Sequence, residues 1–409
     1  MNILPILRAL SRRKVGAVLI ALQLALTVAI LCNALNIIQQ RVRHMQRPSG
    51  LDEANIFSFR NEFTGTSNDL SARIQADLAQ LRSIPGVVDA AALHSFPLGG
   101  YGQATSVLLK PDQREPSAFA AEYLMTARAM QMLGLQLVAG RQFAPDEIQE
   151  FRQGLDTQDT TVVIVTRALA DKLFPDGALG RGIYIGTPQP GRIIGIVARA
   201  QAPWAAQDEG TGLFSTGSEY GIFQPGQFVS ARVLYVVRTQ PGRSAALLPV
   251  AQQRLYALSR ARIVSEAQTF AETRAEQYST DRSLALILAV VCALMLAVAA
   301  LGVIALTTYW VAQRRRQIGM RRALGASWRD ILAYFHIENL VIAGIGGAIG
   351  IALGYAGNVW LVENEGATRI NVGYLCVAGV VVLALSQLAA LWPALRAAAL
   401  PPAAAIRGP

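Results

Sequence analysis

Charge is scarce in this sequence. Only 16% of its 409 residues are Asp, Glu, Lys or Arg, against 52% hydrophobic, where soluble domains carry about a quarter charged residues. Mean hydropathy is accordingly positive at +0.33, which argues against an ordinary soluble enzyme. Lysine is scarcer still: Lys14, Lys110 and Lys172 are the whole complement. None stands in Gly-x-x-x-x-Gly-Lys-[Ser/Thr], so no P-loop for nucleotide phosphates is present. Three cysteines, Cys32, Cys292 and Cys376, fall inside apolar runs, which supports neither a disulfide framework nor a Cys-based zinc site. Three scattered histidines, His44, His94 and His336, exclude a His-rich metal cluster.

What the chain has instead is long apolar runs. Residues 16–38, 284–311, 335–356 and 372–395 each reach the roughly 20 residues that a helix needs to cross hydrocarbon. Four transmembrane helices are expected. Arg8, Arg12, Arg13 and Lys14 ahead of the first look like a signal-peptide n-region, but the apolar stretch exceeds the roughly 7–15 residues of a cleavable one. It is expected to stay as an anchor.

Orientation follows from the arginines, because short basic loops stay on the cytoplasmic side. The loop 312–334 carries Arg314, Arg315, Arg316, Arg321, Arg322 and Arg329 against one acid, Asp330, while the short loop 357–371 holds Glu363, Glu365 and Arg369. Segments 1–15 and 396–409 are therefore placed in the cytoplasm and 39–283 outside. Arg41, Arg43 and Arg47 argue weakly the other way, but long translocated domains follow the rule poorly. Residues 39–283 hold 24 basic and 23 acidic side chains, so almost all of the net +10 is cytoplasmic. The outer segment has no basic stripe of the kind nucleic acid requires, and nucleic acid is set aside as a partner.

Within the outer segment, apolar runs predict strands at 56–59, 87–92, 105–109, 161–166, 183–185, 192–198 and 233–238. Leu70, Ile74, Leu78 and Leu81 repeat at helical spacing until Pro85 and Gly86, and a second helix is expected over 245–258. Mixed order without a βαβ repeat favours α+β. The fold class is thus an integral membrane α-helical protein with four transmembrane helices and a large extracytoplasmic α+β domain inserted between the first and second. The stretch 203–226 is expected to be a long loop. The polar run 266–283, free of Pro and Gly, is expected to form one continuous helix, a stalk of about 27 Å. Residues 39–46 would form the second stalk, broken by Pro48, Ser49 and Gly50.

The loop segment QRRRQIGMRRALGA (313–326) predicts a short basic helix ended by Gly325, with Ser327 and Asp330 boxing the start of the next. Such a helix is either a surface for a cytoplasmic partner or a device that fixes topology and binds anionic lipid. RRRQIGMRRALGA resembles the signature of the FtsX/MacB-like permeases of ABC transporters, which usually have Glu where Gln317 stands. Leu133, Gly134 and Leu135, the run from Ala139 to Phe143, and VVIVTRALADKLFPDGALGR at 162–181 resemble the periplasmic core domain of those permeases. Pro393, Arg396, Pro401, Ile406 and Arg407 resemble the family's closing pattern.

The resemblance implies a non-catalytic permease subunit of a bacterial inner membrane. It would pair with a second permease, the same or different, and with two P-loop ATPase subunits gripping the loop through Arg315, Arg316, Gln317, Ile318, Gly319, Arg321, Arg322, Leu324 and Gly325. No cofactor is bound by this chain; ATP and Mg are used by the partner. The family further implies mechanical relay to the outer domain, with efflux of a hydrophobic or amphipathic compound and a periplasmic adaptor or outer-membrane channel as candidate partners. The alternative is a non-transporting regulator acting on a periplasmic partner such as a cell-wall hydrolase.

Inside the spans, Gly346, Gly350 and Gly354 lie four apart, a stripe that lets another helix approach; Ala289, Ala293 and Ala297 are its expected partner. Intramembrane polar residues are costly and face protein or water: Gln23, Asn33, Asn36, His336, Glu338, Asn339 and Gln387. Glu338 is expected to pair with the arginine cluster. Asn33 and Asn36 are candidates for a dimer interface or a lateral opening. No Asp/Glu/His chain spans the membrane, which disfavours a proton-driven antiporter. Ser95 near His94, and Asp176 near Arg181, are expected to be solvated surface rather than catalytic groups.

Overall fold

The computed structural model describes residues 14–65, 69–152, 161–205, 219–365 and 369–399. Arg8, Arg12, Arg13, Pro401, Ile406 and Arg407 lie outside the described residues, as do the side chains of Lys14, Arg321, Arg322 and Glu365. The chain divides into two compact units, residues 47–280 and residues 1–46 with 281–409.

The first helix, α1 (Lys14–Met45), runs without a break through the first apolar stretch and the polar residues beyond it. The outer unit then follows in the order β1 (Ile56–Phe63), α2 (Leu70–Arg82), β2 (Val87–Leu93), β3 (Gln103–Val107), β4 (Ala118–Met125), α3 (Ala127–Leu133), β5 (Leu137–Gly140), β6 (Gln149–Arg152), β7 (Val162–Thr166), α4 (Arg167–Leu173), β8 (Gly182–Ile183), β9 (Gly191–Val197), β10 (Gly221–Val229), β11 (Arg232–Thr239), α5 (Ser244–Leu258), β12 (Arg262–Thr269) and α6 (Phe270–Gln277).

One antiparallel sheet has the order β12-β1-β11-β2. Asp69 caps α2 by accepting the Ala72 amide proton at 3.1 Å, and Ile74, Leu78 and Leu81 seat the helix on Phe57, Phe59 and Tyr235 of the sheet. Each such side chain contributes roughly 1.5–3 kcal/mol on burial. Asp77, on the same helix, is buried with Arg262 at 2.7 and 2.9 Å and with the Tyr235 hydroxyl at 2.7 Å. The second sheet is mixed, in the order β3-β4-β10-β7-β9-β5, with β6 on β10 and β8 on β9. Its core holds Val163, Val165, Ile193 and Ile222 under Leu169, Ala170 and Leu173 of α4.

Two expectations for this unit are corrected. Residues 266–283 are not one helix. Residues up to Thr269 belong to β12, paired with β1, with a bulge opposite Ser58 and Arg60 where Glu266 takes a positive φ of 50°. The helix starts only at Phe270, behind a capping box in which Thr269 and Glu272 bond reciprocally, and it stops at Tyr278. Sheet pairing has overridden the helical propensity of Glu, Ala and Gln. Residues 203–226 are likewise not all loop: β10 begins at Gly221 and lies between β4 and β7, while 206–218 lie outside the described residues.

The chain enters and leaves this unit at neighbouring points. The buried Gln201 amide donates to the carbonyls of Arg47 (3.1 Å) and Pro48 (3.2 Å), and its oxygen accepts from the Tyr278 hydroxyl at 2.9 Å. Arg274 adds bonds to the Arg47 carbonyl and to Glu53 at 2.5 and 2.7 Å. The connection into the first span and the connection into the second are thereby knotted together.

The membrane unit combines α1 with α7 (Ser279–Gln313), α8 (Arg315–Ala323), α9 (Trp328–Glu365) and α10 (Val372–Ala398). Four of these five, all but α8, are long and apolar enough to span a bilayer. The third runs well past the expected 335–356 at both ends, so most of the stretch 357–371 is helix rather than loop. Ile20, Leu24, Val28 and Cys32 of α1 form the centre, packed on Ile342 and Ala343 of α9 and on Ala378 and Val382 of α10. Helix α7 contributes a narrow stripe, Cys292, Ala299, Val303 and Trp310. Its other faces expose Leu286, Ile287, Leu294, Val298 and Leu301, as suits contact with acyl chains.

Candidate functional site

The candidate site is the hairpin joining α7 to α9. Helix α7 ends at Gln313, and α8 follows at once, from Arg315 to Ala323. Gly325 adopts φ +97°, the left-handed conformation that glycine accepts without cost, and so reverses the chain. Ser327 then caps α9: its amide and hydroxyl donate to the Asp330 carboxylate at 3.0 and 2.7 Å, and its hydroxyl accepts the Asp330 amide at 3.3 Å.

Helix α8 is held by one face. Ile318 is buried against Ile331 and Phe335 of α9 and Ala394 of α10, with Gly319 buried beside it. Arg315, Arg316, Gln317 and Met320 are exposed, and Leu324 beyond the helix end is 88% exposed. A cationic surface with two large apolar side chains at its edge is thus presented on a fixed platform. Gln317, in the position where the related signature usually has Glu, is exposed at the edge of a shallow pocket with Arg314, Ile318, Ile331, Tyr334 and Phe335.

The platform is locked by a buried ion pair. Arg314 donates to both oxygens of Glu338, at 2.7 and 3.0 Å, with side-chain exposures of 12% and 4%. The planar fork of Arg satisfies the carboxylate in two bonds. Glu338 therefore pairs with the arginine cluster, through its first member, and not with the exposed arginines of α8.

The glycine stripe has a different partner from the one expected. Cβ atoms added at Gly346 and Gly350 would lie 2.6 and 2.5 Å from the carbonyl oxygens of Ala21 and Ala25, and one at Gly354 would lie 3.3 Å from the Ala29 carbonyl. The stripe seats α1, whose Ala21, Ala25 and Ala29 repeat at the same spacing, rather than Ala289, Ala293 and Ala297 of α7. Asn33 strengthens that seam: its amide donates to the Ala29 and Gly354 carbonyls at 3.0 and 3.1 Å. Its amide protons are engaged within the chain rather than held for a second copy, and Asn36 is buried.

Gly302, which the sequence did not single out, gives α7 its contact. The Gln23 amide donates to the Val298 carbonyl at 3.0 Å, and a Cβ on Gly302 would lie 2.4 Å from the Gln23 oxygen. At the other end of the same two helices, Asp281 is buried between Arg41 (2.6 Å) and His44 (2.7 Å). Helices α1 and α7, which flank the outer unit in the chain, are thus clamped to each other at mid-length and at their outer ends. The remaining polar groups join α9 to α10, His336 to Gln387 at 2.8 Å and Asn339 to the Ser386 carbonyl at 2.9 Å.

Residues 18–255 match the family model described as the MacB-like periplasmic core domain, and residues 289–402 match that of the FtsX-like permease C-terminal. The chain belongs to the FtsX/MacB-like permease family. Among curated members, the macrolide export ATP-binding/permease protein MacB of Chromobacterium violaceum is 31% identical over 233 residues, covering 54% of this chain and 33% of that protein. The probable syringafactin export ATP-binding/permease protein SyfD of Pseudomonas syringae pv. tomato is 27% identical over 244 residues, covering 57% and 33%. The chain spans about a third of the length of the curated relatives it matches. Among solved structures, the periplasmic region of MacB from Actinobacillus actinomycetemcomitans aligns at 14% identity with a TM-score of 0.33, covering 56% of this chain and 95% of that one.

Proposed function

We propose that this permease is the transmembrane subunit of an ATP-driven exporter, worked by a separate pair of P-loop ATPase subunits that grip the α7–α9 hairpin. The observation that carries the reading is the one-sided burial of α8. The helix is anchored by Ile318 to α9 and α10, while Arg315, Arg316, Met320 and Leu324 are exposed. Met320 and Leu324, exposed together beside the arginines, give a partner an apolar contact as well as a cationic one, and a rigid platform transmits the motion of that partner instead of absorbing it.

From the platform the path runs through α7 and α9 to α1, by way of the Gln23 and glycine contacts. The hairpin, with its arginines, faces the cytoplasm and residues 47–280 lie outside the inner membrane, as the positive-inside rule requires. A second permease, identical or related, completes the machine. The relatives named for macrolide and syringafactin export suggest an amphipathic compound as the substrate class, and this chain is assigned the same class. A periplasmic adaptor or outer-membrane channel would extend the route. ATP and Mg belong to the partner, since no P-loop pattern occurs in these 409 residues.

The test is co-purification with the ATPase and measurement of its hydrolysis. Replacing Arg315, Arg316, Arg321 and Arg322 by Ala is expected to abolish both association and stimulated hydrolysis. Undiminished association would refute the assignment. Accumulation of amphipathic antimicrobials in a deletion strain, with unchanged wall-hydrolase activity, separates export from the regulatory alternative.

A further inference from the structure

The outer unit contains a cavity of about 470 Å³ between its two sheets, within the range of small-molecule sites. The apolar part of its lining includes Leu93 of β2, Leu124 of β4, Phe151 of β6 and Phe228 of β10. Glu122 of β4 and His94, just beyond β2, are set among them. The expectation that His94 and Ser95 are solvated is corrected here. Ser95 is fully buried, and among the described residues neither its hydroxyl nor the buried Nδ1 of His94 has a hydrogen-bond partner. Asp176 and Arg181, by contrast, are exposed as expected.

Among the described residues lining the cavity, Glu122 is the one charged side chain without an ion-pair partner. Arg60 donates to Glu266 at 3.1 Å and lies over the Tyr101 ring, 3.7 Å from its centroid. Arg232 donates to Glu62 at 3.1 and 3.2 Å. Both rim arginines are therefore neutralised by their own carboxylates. Glu122 has no cationic partner within 4 Å among the described residues; a single neutral donor, the Gln224 amide at 3.1 Å, serves its carboxylate. Burial raises its pKa and pushes that of His94 down to about 4, so the imidazole is uncharged at neutral pH and supplies no counter-charge.

An unpaired carboxylate in an apolar, aromatic cavity is costly by itself and is stabilised by a cation that brings its own apolar body. We propose that this cavity binds an amphipathic cation, with its ammonium group on the Glu122 carboxylate and its apolar portion against Phe151, Phe228, Leu93 and Leu124. An anionic amphiphile would have to displace two rim ion pairs and then approach Glu122, so the geometry selects against it. The inference stands on the cavity and is independent of whether the chain exports.

The test uses the full-length chain in lipid nanodiscs, with empty nanodiscs subtracted, and three probes that share a dansyl fluorophore. They are dansylcadaverine, its N-acetylated neutral form and the anionic dansyl-6-aminohexanoate. The amine is expected to bind saturably with a blue-shifted emission, at least about tenfold tighter than the acetylated form, the factor a charge-assisted hydrogen bond in a partly buried site supplies. Glu122→Gln should erase that difference without weakening the acetylated probe, and Phe228→Ala should weaken both. Because the comparison of the three probes is made on the unaltered chain, it stands even if a variant misfolds. Equal binding of amine and acetylated amine, tighter binding of the acid, no saturable binding above empty nanodiscs, or an amine affinity untouched by Glu122→Gln in a folded variant would each overturn the proposal.

Discussion

Replacing Gly350 by Ala tests the packing of α1 on α9 with a single methyl group. In the structure that methyl would sit 2.5 Å from the Ala25 carbonyl oxygen and 2.7 Å from Val28 Cβ. Both atoms belong to a packed helix, so the two helices must separate locally by about 1 Å in an interior packed to crystal-like density. Overpacking of this kind costs about 1–3 kcal/mol, and the better helix propensity of Ala returns up to about 1 kcal/mol, leaving a net loss of up to about 2 kcal/mol. Gly347, three residues earlier on the same helix, is the internal control. Nothing lies within 4 Å of its added Cβ, so Gly347→Ala should be neutral or stabilising by up to about 1 kcal/mol. Reversible denaturant unfolding of the purified chain in detergent micelles, followed by tryptophan fluorescence, should show Gly350→Ala with a clearly lower midpoint than Gly347→Ala. Equal midpoints, or the reverse order, would refute the assignment of the stripe to α1.

Glu338→Gln leaves Arg314 buried without its carboxylate and should destabilise the membrane unit by about 3–5 kcal/mol, while the paired replacement Arg314→Met with Glu338→Leu recovers most of the loss; thermal unfolding of both variants checks this. In the outer unit, Asp77→Ala strands Arg262 and the Tyr235 hydroxyl and should cost a similar amount, seen as loss of protease resistance of residues 47–280. His94 makes the outer unit acid-sensitive. Its imidazole titrates at about 4 in the folded chain and near 6.5 when unfolded, so the unfolded state binds more protons between those values and stability falls as pH drops through the window, by roughly 3 kcal/mol at most. Glu122, whose pKa burial raises, works in the opposite direction, so the comparison is with His94→Gln, which should flatten the decline in thermal stability between pH 6.5 and 4.

The four spans and the α+β character of the outer unit were legible because apolar runs of spanning length and strands such as 233–238 are dominated by local composition. Strand β4, AFAAEYLM, was not, since alanine has little β-propensity and the strand is specified by its neighbours β3 and β10. β10 carries Gly221, Pro225 and Gly226, residues that read as loop, yet it lies inside the sheet because β4 pairs its first part and β6 its second, with the Pro at the changeover. β12 was misread as helix for the same reason: its pairing with β1 spans some 200 residues of sequence, beyond the reach of a periodicity argument. At the hairpin, the cap, the glycine reversal and the Glu338 pairing followed from residue type and spacing. The choice of α1 as the partner of the glycine stripe did not, because Ala289, Ala293 and Ala297 offered the same spacing as Ala21, Ala25 and Ala29. The cavity around Glu122 was invisible, as its walls come from seven separate strands.

The central claim is that nucleotide in a bound ATPase moves the outer unit through the hairpin. Spin labels at Tyr256→Cys in α5 and Trp360→Cys in α9, both exposed positions, introduced after Cys376, the exposed native cysteine, is replaced, give the distance between the two units by pulsed electron resonance. With the ATPase present, trapping ATP is expected to shift that distance distribution, and Arg315→Ala with Arg316→Ala is expected to abolish the shift. A distribution that stays the same with and without nucleotide, in a complex whose ATPase is demonstrably active, would contradict it.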